Sequence, residues 1–187
     1  MPTLQPTPSP LFTRLIFAAF GLMAMVLMLS AYLRLSGAGL GCADWPACYG
    51  QGYADPAMSK QAATPARLAH RLTATSLSLV ILAISVMAWR RRKQAAGQWG
   101  VALLALGLTL FLSVLGIWTP GTRLPAVVLG NLLGGMALLG VLWWLSLSAR
   151  NPGASRVEAH FRSAAWFGLV LLFVQIGLGG LVSANFA

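Results

Sequence analysis

The sequence predicts an all-α integral membrane protein: a transmembrane four-helix bundle plus a fifth transmembrane helix. Three observations predict it. The 187 residues are 58% hydrophobic and 9% charged, whereas soluble domains carry about 25% charged residues. The apolar residues fall in five blocks, each close to the roughly 20 residues a helix needs to cross a bilayer. The cations gather at the block ends, as the positive-inside rule requires. Backbone groups in lipid must bond within their own segment, which makes helices the default. The short alternating segments of a β-barrel do not occur.

The elements follow in order. The tail MPTLQPTPSP is Pro-rich, and residues 1–11 read as a disordered cytoplasmic N-terminus. The first span is expected at 12–34. Its apolar stretch exceeds the roughly 7–15 residues of a signal peptide, and no small-residue cleavage site follows. A long loop, 36–66, leads to the second span, 68–89, which ends in Arg90, Arg91, Arg92 and Lys93. The third span is expected at 99–118. TPGTRLP supplies the Pro and Gly of a tight turn before the fourth span, 125–147. Arg150, Arg156 and Arg162 separate it from the fifth span, 163–183. The expected organisation is therefore a four-helix unit over 12–150, with a linker and fifth helix over 151–187. The ending GGLVSANFA echoes YLRLSGAGL at the end of the first span. On this pattern the fifth helix starts a second, missing copy of the unit, half of an eight-helix pseudo-repeat.

A net charge of +10 on a soluble protein would suit nucleic acid. Here the cations mark topology instead, so the expected surroundings are a lipid bilayer and no nucleic acid. The basic clusters after the second and fourth spans place those loops and the N-terminus in the cytoplasm. The 36–66 loop and the C-terminus then lie outside. Arg34, Lys60, Arg67 and Arg71 run against this bias, diluted over a long loop.

The chemistry sits near that outer loop. RLSGAGLGCADWPACYG, from Arg34 to Gly50, holds Cys42 and Cys48, the only cysteines. An oxidising compartment favours a disulfide there, worth about 2–3 kcal/mol for so short a closure. A redox-active pair and a metal site are the alternatives. Trp45, between the cysteines, is placed to cap a pocket. His70, in PARLAHRL, lies just inside the outer end of the second span. A lone ionisable residue at such a depth is a functional candidate, and imidazole is a common ligand of metal or haem. The plain alternative is an interfacial histidine bonded to a carbonyl or water.

Asn131, in VVLGNLLGG, lies similarly close to the outer end of the fourth span. The two residues are positioned to face each other across a bundle, as in cofactor sites built from facing helices. An interhelical hydrogen bond is the alternative for Asn131. Gly130 and Gly134 have the spacing of close helix packing, and would also make room for a flat macrocycle. Arg34, Arg67 and Arg71 gather near the same face, suited to haem propionates or to lipid headgroups. Gln175 is expected to bond a neighbouring helix. Trp89, Trp99 and Trp118 fit an interfacial belt, and His160 carries no expected role. Asp44, Asp55 and Glu158 fall in loops, which excludes a carboxylate relay through this chain's membrane segment.

These residues together resemble the haem A synthase family, bacterial and mitochondrial membrane enzymes that oxidise a methyl group of haem O to the formyl group of haem A. The resemblance rests on the Cys42–Cys48 loop, the His70–Arg71 pair, the turn before the fourth span and QIGLGGLVSANFA. It implies a four-helix half with a histidine on its second and fourth helices, a b-type haem or the substrate haem between them, and a disulfide joining Cys42 to Cys48. His70 matches the first histidine and the iron-ligand role. Asn131 stands at the second histidine's position, and Arg67 where the family has a catalytic glutamate, so no catalytic residue carries over.

The expected function is haem A synthase-like oxidation in cytochrome oxidase biogenesis, in a bacterial plasma membrane. The cofactor-binding set is His70, Asn131, Arg34 and Arg71, with haem b, or haem O and A as substrate and product. The alternative is a non-catalytic haem-binding or respiratory oxidase assembly subunit, acting as a homo-oligomer or with oxidase biogenesis partners. A membrane scaffold without cofactor is the third reading.

Overall fold

A computed structural model describes residues 9–35, 65–93, 96–118, 125–150 and 159–186. They form five helices: α1 (Pro10–Leu35), α2 (Pro65–Arg90), α3 (Ala96–Trp118), α4 (Pro125–Arg150) and α5 (Ala159–Phe186). No strand occurs among the described residues. Each helix contains a stretch of 19 to 26 residues long and apolar enough to cross a membrane. The all-α membrane class is borne out. The helices run a few residues past most of the expected span ends, because hydropathy marks the hydrocarbon segment while the helix continues into the interface. Local chemistry sets their starts. Ser9 caps α1, its hydroxyl accepting from the Phe12 amide at 3.4 Å. Pro10, Pro65 and Pro125 occupy first positions, where a missing N–H costs nothing.

Packing closes the first four helices into a ring. α1 lies against α2 and α4, and α3 lies against the same two, so α2 and α4 stand at opposite corners. Adjacent helices run antiparallel. Thr73, early in α2, has its hydroxyl 3.9 Å from the Met25 sulfur, late in α1. Ser85, late in α2, has its hydroxyl 3.2 Å from the Ala102 carbonyl, early in α3. Gly134, early in α4, touches Phe111 and Leu112, late in α3.

The buried core occupies one half of this ring. It joins Phe12, Ile16, Ala19 and Met23 of α1 to Leu77, Ile81 and Ile84 of α2. Ala102 and Ala105 of α3 and Leu138, Leu142 and Leu145 of α4 join it, with Ala88 of α2 and Ala149 of α4. These run from mid-bundle to the end where α1 and α3 begin and α2 and α4 finish. Three buried hydroxyls in this region satisfy themselves on their own helices: Ser85 donates to Ile81, Thr109 to Ala105 and Ser146 to Trp143, at 2.8, 2.8 and 2.7 Å. Phe20 and Trp143 stack obliquely across α1 and α4, with ring centroids 5.4 Å apart.

α5 stands outside the ring, against α4. Only 6% of its membrane stretch is buried, against 28% for α2 and α4. Its late turn meets the early turns of α4 at Gly180, where an added Cβ would come within 2.9 Å of both Leu129 and Leu132. Gln175 is exposed on α5. The interhelical hydrogen bond expected of it is therefore not made within the described chain, because α5 turns its small Gly180 rather than its amide toward α4.

Candidate functional site

His70 and Asn131 share one end of the bundle, the end opposite the core. His70 is the sixth residue of α2 and Asn131 the seventh of α4, which puts them about 8 and 9 Å along their axes. Both are half-buried.

Helix geometry fixes where they point. Each residue advances about 100° around an α-helix. Taking His70 as zero, Thr73 lies near 300° and Ser85 near 60° by that rule. Thr73 faces α1 and Ser85 faces α3. His70 bisects the two directions, so it faces the interior between α1 and α3, along the diagonal toward α4. The same construction works on α4. Gly134 meets Leu112 of α3, and Gly135 meets Leu27 and Met23 of α1. Asn131 falls about midway between those glycines on the helical wheel, aimed at the interior from the opposite corner. Each residue also sits one heptad from a core leucine: His70 from Leu77, Asn131 from Leu138. The site is the continuation of the core stripe with polar residues in place of leucine.

The walls are tight. An added Cβ on Gly130 would lie 3.1 Å from Leu115, on Gly134 2.9 Å from Leu112, and on Gly135 3.1 Å from Leu27. The glycines bring α4 close to α3 and α1. The room they leave is filled by those leucines, so of the two readings of this spacing the structure favours close packing. Thr73 lies about one turn from His70 and donates to the Ala69 carbonyl at 2.7 Å.

The arginines divide. Arg67, half-buried, falls about 60° from His70 on the α3 side. Arg71 is exposed, about 100° round the helix from His70. Arg34, the penultimate residue of α1, is at the same end of the bundle, and its side chain lies outside the described residues, as do Cys42, Cys48, Trp45 and all of 36–64; the last two residues of the expected 36–66 loop belong to α2. No group of three or more His, Cys, Asp or Glu side chains gathers among the described residues. A multidentate metal centre is thus not formed there, and a single imidazole is the ligand on offer. Leu27 and Leu112, which flank Asn131 through the neighbouring glycines, were not legible as site residues. Gly135, adjacent to the expected glycine pair, was the signal that leads to Leu27.

The sequence pattern of the cytochrome oxidase assembly protein family matches residues 13–187. The chain belongs to this family. The heme A synthase of Shewanella oneidensis is 34% identical over 181 residues, an alignment that covers 87% of this chain and 54% of that relative. The resemblance to haem A synthases drawn from the Cys42–Cys48 loop and His70 is borne out at the level of the family. The chain spans about half the length of the relative it matches. No solved structure matches it at comparable stringency. The chemistry of His70 and Asn131 is the test of whether a haem could be held between them. An imidazole, half-buried and aimed at the bundle interior, is a suitable haem ligand. The carboxamide opposite is a poor one.

Proposed function

We propose that this chain is a haem-binding unit for haem A synthase-type oxidation of the haem O methyl group during cytochrome oxidase biogenesis. The observation that carries it is the diagonal pair: His70 and Asn131, at matched depth, aimed at one another from opposite corners of the ring. His70 would hold the iron through its imidazole. Asn131 lies on the far side, where its amide offers a hydrogen-bond donor and acceptor but no ligating nitrogen. A haem held by one imidazole would supply redox-active iron for oxygen chemistry. Arg67, Arg71 and Arg34 at the same end offer guanidinium groups to the propionates. The leucines drawn in by the glycines keep water from the interior, and a Cys42–Cys48 disulfide in the outer loop is part of the same reading. The membrane is the bacterial plasma membrane, with the N-terminus cytoplasmic and that loop outside.

The exposed flank of α5, with Gln175, is the surface for a partner. That partner is a second copy of this unit or an oxidase biogenesis subunit. An amide facing hydrocarbon is costly unless bonded. Arg67 at the glutamate position favours a second reading, in which the unit holds or delivers haem without oxidising it.

The test is the visible spectrum of the purified protein, oxidised and reduced, beside His70→Ala. A Soret band lost in the variant is the expected result, and extraction then identifies the haem as B, O or A. A wild type that stays colourless after haem is supplied overturns both readings. Conversion of haem O to haem A in cells lacking their own synthase separates the enzyme from the carrier.

A further inference from the structure

At the end of the bundle opposite His70, a groove of about 310 Å³ opens between α2 and α3. Leu82, Val86, Leu103 and Leu106 form its walls, and Trp89 and Arg90 its mouth. Apart from Ser85, whose hydroxyl is engaged by the Ile81 and Ala102 carbonyls, the walls are aliphatic yet uncovered: Leu82 is 48% exposed and Val86 45%. From Leu82 to Arg90 the groove follows α2 for about 12 Å, most of the roughly 15 Å depth of one leaflet's hydrocarbon. The mouth is strongly cationic. Arg90 is followed directly by Arg91, Arg92 and Lys93. Arg92 is held there, its guanidinium carbon 4.9 Å from the Trp89 ring centroid. Trp89 in turn packs edge-on against Trp99 of α3, with centroids 6.3 Å apart. None of the described residues is acidic, since the chain's three carboxylates are Asp44, Asp55 and Glu158.

We propose that this groove seats one anionic phospholipid, an acyl chain along Leu82, Val86, Leu103 and Leu106 and the phosphate at Arg90 and Arg92. Charge complementarity selects the occupant. Four adjacent cations at the mouth suit an anion, and the apolar slot beneath them suits a chain attached to it. Basic pockets between membrane helices bind acidic lipid headgroups in this way. The tryptophan pair adds a rigid interfacial rim and fixes one cation in place. The site is separate from His70 and independent of the haem reading.

The experiment is native mass spectrometry of the delipidated chain titrated with phosphatidylglycerol or with phosphatidylcholine of the same acyl chains. A single saturable adduct with phosphatidylglycerol is expected, at least tenfold tighter than with phosphatidylcholine. Arg90→Gln combined with Arg92→Gln weakens it about tenfold, and Leu103→Trp, which fills the groove and keeps every charge, does the same. Arg162→Gln, at the same end but off the groove, leaves it unchanged. Equal binding of the two lipids overturns the proposal, as does full affinity in a helical, monodisperse Leu103→Trp protein. If that variant does not fold, a photoactivatable phosphatidylglycerol on the wild type decides. Cross-links confined to the 82–106 segment support the site, and cross-links spread over all five helices overturn it.

Discussion

His70 and Asn131 share a depth and a direction but not a chemistry. Imidazole ligates iron and a carboxamide does so poorly, so the two corners of the ring offer one strong ligand between them. Asn131→His supplies the second. With haem bound, it is expected to turn a five-coordinate iron into a six-coordinate, low-spin one, read by loss of the high-spin signal in electron paramagnetic resonance. An unchanged spectrum means the two positions do not face a common ligand. Their shared depth was legible in the sequence, because both lie close to the outer ends of spans that run the same way. The arginines were not. Arg67 and Arg71 both neighbour His70 in sequence, yet helical rotation leaves one half-buried and the other exposed. Only the neighbours of α2 reveal which is which.

At the scale of the helices, glycine separates contact from mere smallness. A Cβ added at Gly134 would lie 2.9 Å from Leu112, whereas one added at Gly140 of the same helix would meet nothing within 4 Å. Gly134→Leu is expected to force α3 from α4 and cost about 1–3 kcal/mol by overpacking, lowering the thermal midpoint in detergent. Gly140→Leu is expected to leave it unchanged. Equal midpoints for the two variants would show that the α3–α4 contact does not depend on that approach. The five helices themselves were legible, since block length and flanking cations suffice to find them. Their ends extended further than hydropathy reaches. The direction of Gln175 was not legible, because α5 is apolar nearly all round and its sequence names no packed face.

For the whole molecule, the order of helices around the ring is the part that sequence could not supply. Chain connectivity makes α1 and α2, or α3 and α4, natural neighbours. That α1 also closes onto α4, leaving α2 and α4 at opposite corners, emerges only from packing. α5 adds an appendage whose described hold on α4 includes the close approach at Gly180. Gly180→Leu is therefore expected to loosen α5 alone. Amide exchange should rise sharply in 159–186, with the exchange of α1 to α4 and any haem spectrum unaltered. Loss of protection throughout would show that α5 braces the ring.

A four-sided frame joined only along its edges deforms into a rhombus without parting any joint. The helix ring is such a frame, with the dense core stiffening one end and leucine-filled glycine notches at the other. A ligand gripped by His70 and reaching Asn131 acts as a strut across the diagonal and removes that mode of shear. Its occupancy should therefore slow amide exchange in α1 and α3, the two helices that contribute neither residue. Exchange that slows only in α2 and α4 would mean the ligand sits against the frame without spanning it.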